Sequence, residues 1–219
     1  MRITESFKRE LEKVPPEAAR QIRLRMREFE RVRNSPSDRW FSELCFCILT
    51  ANSKAETAIS IQNSLGTRGF TDSAQEEIAR AIKSHKHRFH NVKAGYIIEA
   101  RKHRDIKSRI MQIIASERDE MEGAKKARDW LVENVKGLGM KEASHFLRNV
   151  GFPYLAVLDR HILRFIKQQG MVKEVPKTIS RKEYLKLESI LESACNQTGM
   201  NQGELDFYMW FLMTGRVLK

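Results

Sequence analysis

Cysteine is scarce in this sequence, and the three present, Cys45, Cys47 and Cys195, carry neither metal-ligand spacing nor a paired disulfide framework. Three thiols cannot supply a four-cysteine iron–sulphur cluster. Cys45 and Cys47 fall inside FSELCFCILTA, apolar nearly all round, where small buried thiols are expected. No apolar run approaches the ~20 residues of a membrane span. The charged N-terminal stretch MRITESFKRELEKV reads as helical and lacks the apolar core of a signal peptide. These absences predict a soluble, cytoplasmic protein that is not secreted and does not meet a membrane. No stretch reads as a convincing strand, no segment repeats, and none is of low complexity, so the expected fold class is all-α. Acidic partners are missing around the histidines as well. His85, His87, His90 and His103 lie within 83–110, but no carboxylate or thiol set accompanies them, which argues against zinc and leaves no metal site predicted.

Positive charge, by contrast, is plentiful. The net charge is +12, with 40 Lys and Arg, which points to an anionic partner without identifying it. Residues 83–110 are the most basic stretch, with Lys83, Lys86, Arg88, Lys93, Arg101, Lys102, Arg104, Lys107 and Arg109 against only Glu99 and Asp105. On sequence alone this stretch reads equally as a nucleic-acid contact or as a solvated face.

Helical spacing runs through the chain. Pro15-Pro16 start a helix whose Ile22, Met26 and Phe29 face inward, and Asn34-Ser35-Pro36-Ser37 break it. Trp40 to Thr50 forms a helix apolar enough to be central. In the last helix Leu205, Tyr208, Met209 and Leu212 form one stripe, with Trp210 off it, where it either packs on a second layer or stacks on a planar ligand.

The most informative stretch begins Lys136-Gly137-Leu138-Gly139. Trp130, Leu131 and Val135 end one helical pattern, and Ala143, Phe146, Leu147 and Val150 define the next. The glycines therefore sit in a tight turn between two helices, where positive φ or close backbone approach is needed. Amides at such a helix start point outward with partial positive charge and suit a phosphate. Lys141 falls in the first turn of the second helix, where the positive end of the helix dipole disfavours an ammonium and favours the free amine of a Schiff-base nucleophile. Asp159 follows the Gly151-Phe152-Pro153 breaker, at the expected N-cap of a helix over His161–Gln169. A carboxylate there can activate an amine and stabilise positive charge developing on a sugar. Each residue alone is equally at home as a solvated lysine or a plain cap.

Together, KGLGMKEASHFLRNVG and the following AVLDRHILR resemble the helix-hairpin-helix DNA glycosylase superfamily, and within it the archaeal-type 8-oxoguanine DNA glycosylase/AP lyases. The resemblance implies two helical lobes around a helix-hairpin-helix, without the iron–sulphur cluster of the endonuclease III relatives. It implies Lys141 as nucleophile and Asp159 as the essential carboxylate. Gly137, Gly139 and the adjoining Lys136 then hold backbone phosphate, and a monovalent cation sits on hairpin carbonyls, with no other cofactor. Asn52, in Leu49-Thr50-Ala51-Asn52-Ser53, matches a segment that feeds a polar side chain into the hole left by an extruded base, and is equally a helix cap. RFHNVKAGYI resembles the superfamily loop that probes the duplex, which makes Arg88 and Phe89 candidates to contact DNA or the base. Trp210 would stack on 8-oxoguanine, and Lys219 would read it through a carboxylate.

The expected partner is double-stranded DNA bearing 8-oxoguanine or an abasic site, bound by a monomer associated with the nucleoid. The expected division is 1–35, N-terminal helices packing with the hairpin lobe; 36–122, a central helical lobe; and 123–219, the hairpin lobe with the C-terminal helices. Two alternatives stay open: a glycosylase/lyase for oxidised pyrimidines, and a helix-hairpin-helix module that only grips DNA.

Overall fold

The computed structural model describes residues 5–176 and 178–219; of the predicted N-terminal helical stretch, residues 1–4 lie outside the described residues. Among the described residues there are twelve α-helices, a short 3₁₀ turn and no strand. The chain runs α1 (Glu5–Glu12), α2 (Pro16–Arg33), α3 (Ser37–Thr50), α4 (Ala55–Asp72), α5 (Gln75–Ser84), α6 (His90–Ala100), α7 (Ile106–Ala115), α8 (Glu120–Asn134), α9 (Met140–Asn149), α10 (Arg160–Gln168), α11 (Arg181–Thr198) and α12 (Gln202–Thr214). Local signals set several of these bounds. α2 opens on Pro16, where a missing N–H costs nothing. α11 opens on a reciprocal cap, in which Glu183 N–H donates to Ser180 Oγ at 3.2 Å and Ser180 N–H to Glu183 Oε2 at 2.8 Å. α11 and α12 stop at Gly199 and Gly215, both left-handed.

The chain divides into two compact units. One holds Glu30–Phe152 and is built on α3, every residue of which from Trp40 to Thr50 is buried. The helices α4, α6, α7 and α9 pack on it. Buried Glu43 ties three of these helices together. Its carboxylate accepts from Gln62 Nε2 of α4 and from Asn149 Nδ2 of α9, each at 3.2 Å, and pairs with Arg39 at 3.2 Å. These donors satisfy a charge that would otherwise be costly to bury. They also anchor the helix that begins one residue before Lys141.

The other unit joins the helices up to Phe29 with Pro153–Val217. Here α1, α10 and α11 all pack on α12. Phe7 meets Phe165 edge-on at 5.9 Å, and Phe29 stacks on Phe207 at 6.0 Å. The observed division differs from the expected one, which split the chain at 122/123 and put the hairpin with the C-terminal helices. α8 packs on α7 and α9 packs on α3, so the hairpin belongs to the unit of the middle of the chain, and the break falls after Phe152. No helix among the described residues is long and apolar enough to cross a membrane.

Candidate active site

The hairpin takes its shape from one glycine more than from two. Gly137 has φ +89°, and a Cβ there would lie 2.5 Å from Tyr96 Cδ2, so both conformation and space demand glycine. Gly139 is extended, with φ −103° and ψ −175°, and serves as the N-cap of α9. Its N–H donates to Glu142 Oε2 at 3.3 Å, which leaves Leu138 as the apolar residue of the turn that packs inward. Lys136 is exposed, with Nζ 3.4 Å from Glu99 and 5.7 Å above the Tyr96 ring.

Lys141 stands in the first turn of α9, and its Nζ lies 3.2 Å from Glu142 Oε1. One carboxylate thus caps the hairpin helix and faces the candidate nucleophile. Sequence reasoning missed Glu142, although a capping residue followed three positions later by Glu is a recognisable signal. Lys93 was counted with the basic stretch, yet it is 5% exposed and donates from Nζ to the Ile48 carbonyl at 2.6 Å. Burial pushes the Lys93 ammonium below its ordinary value, Glu142 pulls it up, and Lys141 pushes it further down.

The basic stretch as a whole is neither a uniform DNA face nor a solvated one. Arg101 donates to the carbonyls of Phe70 at 2.9 Å and Ser73 at 2.6 Å, closing the end of α4. Lys107 donates to the Ser35 carbonyl at 2.8 Å, and Arg104 pairs with Asp38 at 3.0 Å. Lys83, Lys86 and Arg88 remain exposed.

Arg88 and Phe89 sit on the loop before α6, with the guanidinium 5.4 Å from the ring centroid and Phe89 42% exposed. His87 fastens this loop. It is 4% exposed, its Nδ1 accepts the Phe89 N–H at 3.2 Å, and its Nε2 lies 3.1 Å from the Leu49 carbonyl. An acceptor at Nδ1 requires the neutral ring protonated at Nε2, which then donates to Leu49. Leu49 lies in the last turn of α3, three residues before Asn52, an exposed residue at φ +61°. The two loops that carry Asn52 and Phe89 are therefore pinned to one another by an imidazole.

That pin is sensitive to acid. Burial holds His87 below its ordinary value, aided by the charges of Lys93, Arg88 and His90 and opposed by the Leu49 carbonyl. The unfolded chain takes up a proton near pH ~6.5 that the folded loop resists. This contribution therefore lowers stability as pH falls below about 6.5, until the folded ring also protonates. Denaturation midpoints taken between about pH 7 and 5 are expected to drop less in His87→Asn than in the parent. Identical pH slopes would assign the dependence to other groups.

In the other unit, Asp159 is the N-cap of α10, as expected, and the helix itself starts at Arg160, one residue before the expected His161. Its Oδ1 accepts from His161 N at 2.8 Å and Ile162 N at 2.9 Å. Trp210 of α12 is half-buried and donates from Nε1 to Asp159 Oδ2 at 3.2 Å. Its ring meets His161 edge-on at 6.0 Å. Of the two placements expected for Trp210, neither included this bond. Leu205, Tyr208 and Met209 are buried as the stripe requires, while Leu212 is only half-buried. Lys219 is half-buried beyond the left-handed Gly215. All three cysteines are buried, and burial raises the Cys195 thiol to about 12, far from a reactive thiolate. Among the described residues no three His, Cys, Asp or Glu side chains converge as metal ligands.

A family model described as 8-oxoguanine DNA glycosylase matches residues 22–200. A protein of Korarchaeum cryptofilum named 8-oxoguanine DNA glycosylase/AP lyase is 49% identical over 198 residues, 90% of each chain. The crystal structure of a Methanocaldococcus jannaschii 8-oxoguanine glycosylase/lyase in complex with a 15mer DNA containing 8-oxoguanine is similar at a TM-score of 0.83 and 44% identity, over 90% of this chain and 91% of that one. The 8-oxoguanine DNA glycosylase of Thermotoga maritima aligns at a TM-score of 0.87 and 38% identity, over 98% and 99%.

Proposed function

The chain belongs to the 8-oxoguanine DNA glycosylase family, and on that premise we propose that it removes 8-oxoguanine from double-stranded DNA and then cleaves the strand. The target nucleotide leaves the stack, because a side chain cannot reach C1′ inside a duplex. The Lys141 amine attacks C1′, the N-glycosidic bond breaks, and the base departs with a proton. The sugar ring then opens as the C1′–O4′ bond breaks and O4′ takes a proton, which leaves a Schiff base between C1′ and Lys141. This loses a C2′ proton and expels the 3′-phosphate by β-elimination. Asp159 stabilises the positive charge that develops on the sugar.

The observation that carries this reading is the local placement of the two candidate groups. Lys141 stands in the first turn of the hairpin helix with a carboxylate at 3.2 Å, and Asp159 caps α10 with both oxygens engaged by N–H donors. A hairpin that only grips DNA needs neither. In the same reading, the turn from Lys136 to Gly139 lies against backbone phosphate, with the Gly139 N–H shared between that phosphate and Glu142. The same reading seats a monovalent cation on the hairpin carbonyls. Asn52, Arg88 and Phe89 meet the duplex beside the extruded nucleotide, and Trp210 and Lys219 take the base. Such an enzyme works in the cytoplasm, on the nucleoid.

Borohydride trapping tests the proposal. Duplexes carrying 8-oxoguanine, thymine glycol or an undamaged guanine are incubated with the protein and reductant. A covalent adduct on the 8-oxoguanine strand is expected. Adduct on thymine glycol alone would make this a pyrimidine-lesion enzyme, and adduct on none would reduce it to a binder.

A further inference from the structure

Asp159 uses its two oxygens differently. Oδ1 is committed to the first turn of α10, at 2.8 Å from His161 N and 2.9 Å from Ile162 N. Among the described residues Oδ2 has a single donor, the indole of Trp210 at 3.2 Å, from 51 residues away in sequence. Rotation of an aspartate about Cβ–Cγ is soft, so the cap alone leaves the plane of the carboxylate poorly defined. A second donor on the other oxygen defines it. The indole N–H can only donate, so the Asp159 oxygen that faces it is the acceptor.

The ring itself has a neighbour that steadies it, His161, which it meets edge-on at 6.0 Å. The start of α12 is tied to the segment before α10 by Gly203 N–H on the Pro153 carbonyl at 3.0 Å. α12 also packs directly on α10.

We infer that Trp210 is a positioning residue for the reaction: its N–H sets the plane of the Asp159 carboxylate, so that the ring assigned to the base also aligns the group assigned to the sugar. The inference rests on the proposed function and deepens it. A base seated on the indole bears on the same ring that orients Asp159, which couples seating of the base to the bond-breaking step. An ill-fitting base that tilts the ring loosens the carboxylate, and excision slows even though the base has entered.

The test is Trp210→Phe, which keeps an aromatic face and removes the donor, at the cost of part of the ring. Single-turnover release of 8-oxoguanine is expected to fall about tenfold to a hundredfold, the range for a hydrogen bond to a charged group. Affinity for lesion duplex, measured with Lys141→Gln added to prevent reaction, should stay within about twofold, since stacking persists. Trapping on DNA that already contains an abasic site should fall far less than excision, because no base remains to be expelled. In an Asp159→Asn background, Trp210→Phe should add little, since the bond is already lost. Equal losses on both substrates, or unchanged excision, would overturn the inference while parent trapping on 8-oxoguanine stood. Parent protein that traps neither lesion would bring down the functional reading and this inference with it.

Discussion

Lys141→Gln is expected to abolish borohydride trapping and strand cleavage while binding to 8-oxoguanine duplex persists. The proposed chemistry passes entirely through one amine, so removing it leaves no nucleophile of the same kind in that first turn. Nearby amines do not replace it. Lys93 is buried and donates to the Ile48 carbonyl, and Lys136 is exposed beside Glu99. Gln retains the aliphatic stem and a helix propensity close to that of lysine. The pair with Glu142 at 3.2 Å is lost, but that pair joins adjacent residues at a partly exposed site and contributes about 0–1 kcal/mol. Glu142 keeps its bond from Gly139 N–H, so the hairpin helix stays capped. The measurement pairs trapping on an abasic-site duplex with equilibrium binding and a melting curve. Undiminished lyase activity in the variant would remove Lys141 from the mechanism, and a second lysine would have to be sought.

Asp159→Asn is expected to lower turnover by about 10²–10⁴-fold, the range for a charged group acting in the bond-breaking step. The structure also gives this variant a cost that a simple cap would not have. An asparagine oxygen can still accept from His161 and Ile162, but its NH₂ then faces the Trp210 N–H, donor against donor. Leaving that half-buried indole unsatisfied costs about 1 kcal/mol, the low end for a lost donor, which lowers Tm by about 2–4 °C in a protein of this size. The loss of rate should greatly exceed anything that this loss of stability explains. Assays well below the melting transition separate the two, since nearly all of the variant is then folded. Activity that returned to the parent level under those conditions would leave Asp159 as a helix cap and nothing more.

Much of this molecule is legible in sequence because its signals are local. A helix announces itself through residues three and four apart, and its ends through caps within one turn. The central helix from Trp40, the Gly137 turn, Lys141 in the first turn of α9 and Asp159 at the start of α10 all follow from such spacings. Glu142 was local too, and belonged to the same class of signal. What only the tertiary structure decided depends on partners far apart in the chain. Lys93 looks like any basic residue until Ile48, 45 positions earlier, supplies its carbonyl. Arg101 looks like a DNA contact until Phe70 and Ser73 take its guanidinium. The hairpin joins the middle of the chain because Glu43 and Asn149 meet across 106 positions. Above all, Trp210 was visible as an aromatic off its helix stripe, but a hydrophobic period says only which way a side chain faces. That it faces Asp159 depends on how α12 lies on α10, a packing geometry that no local period encodes.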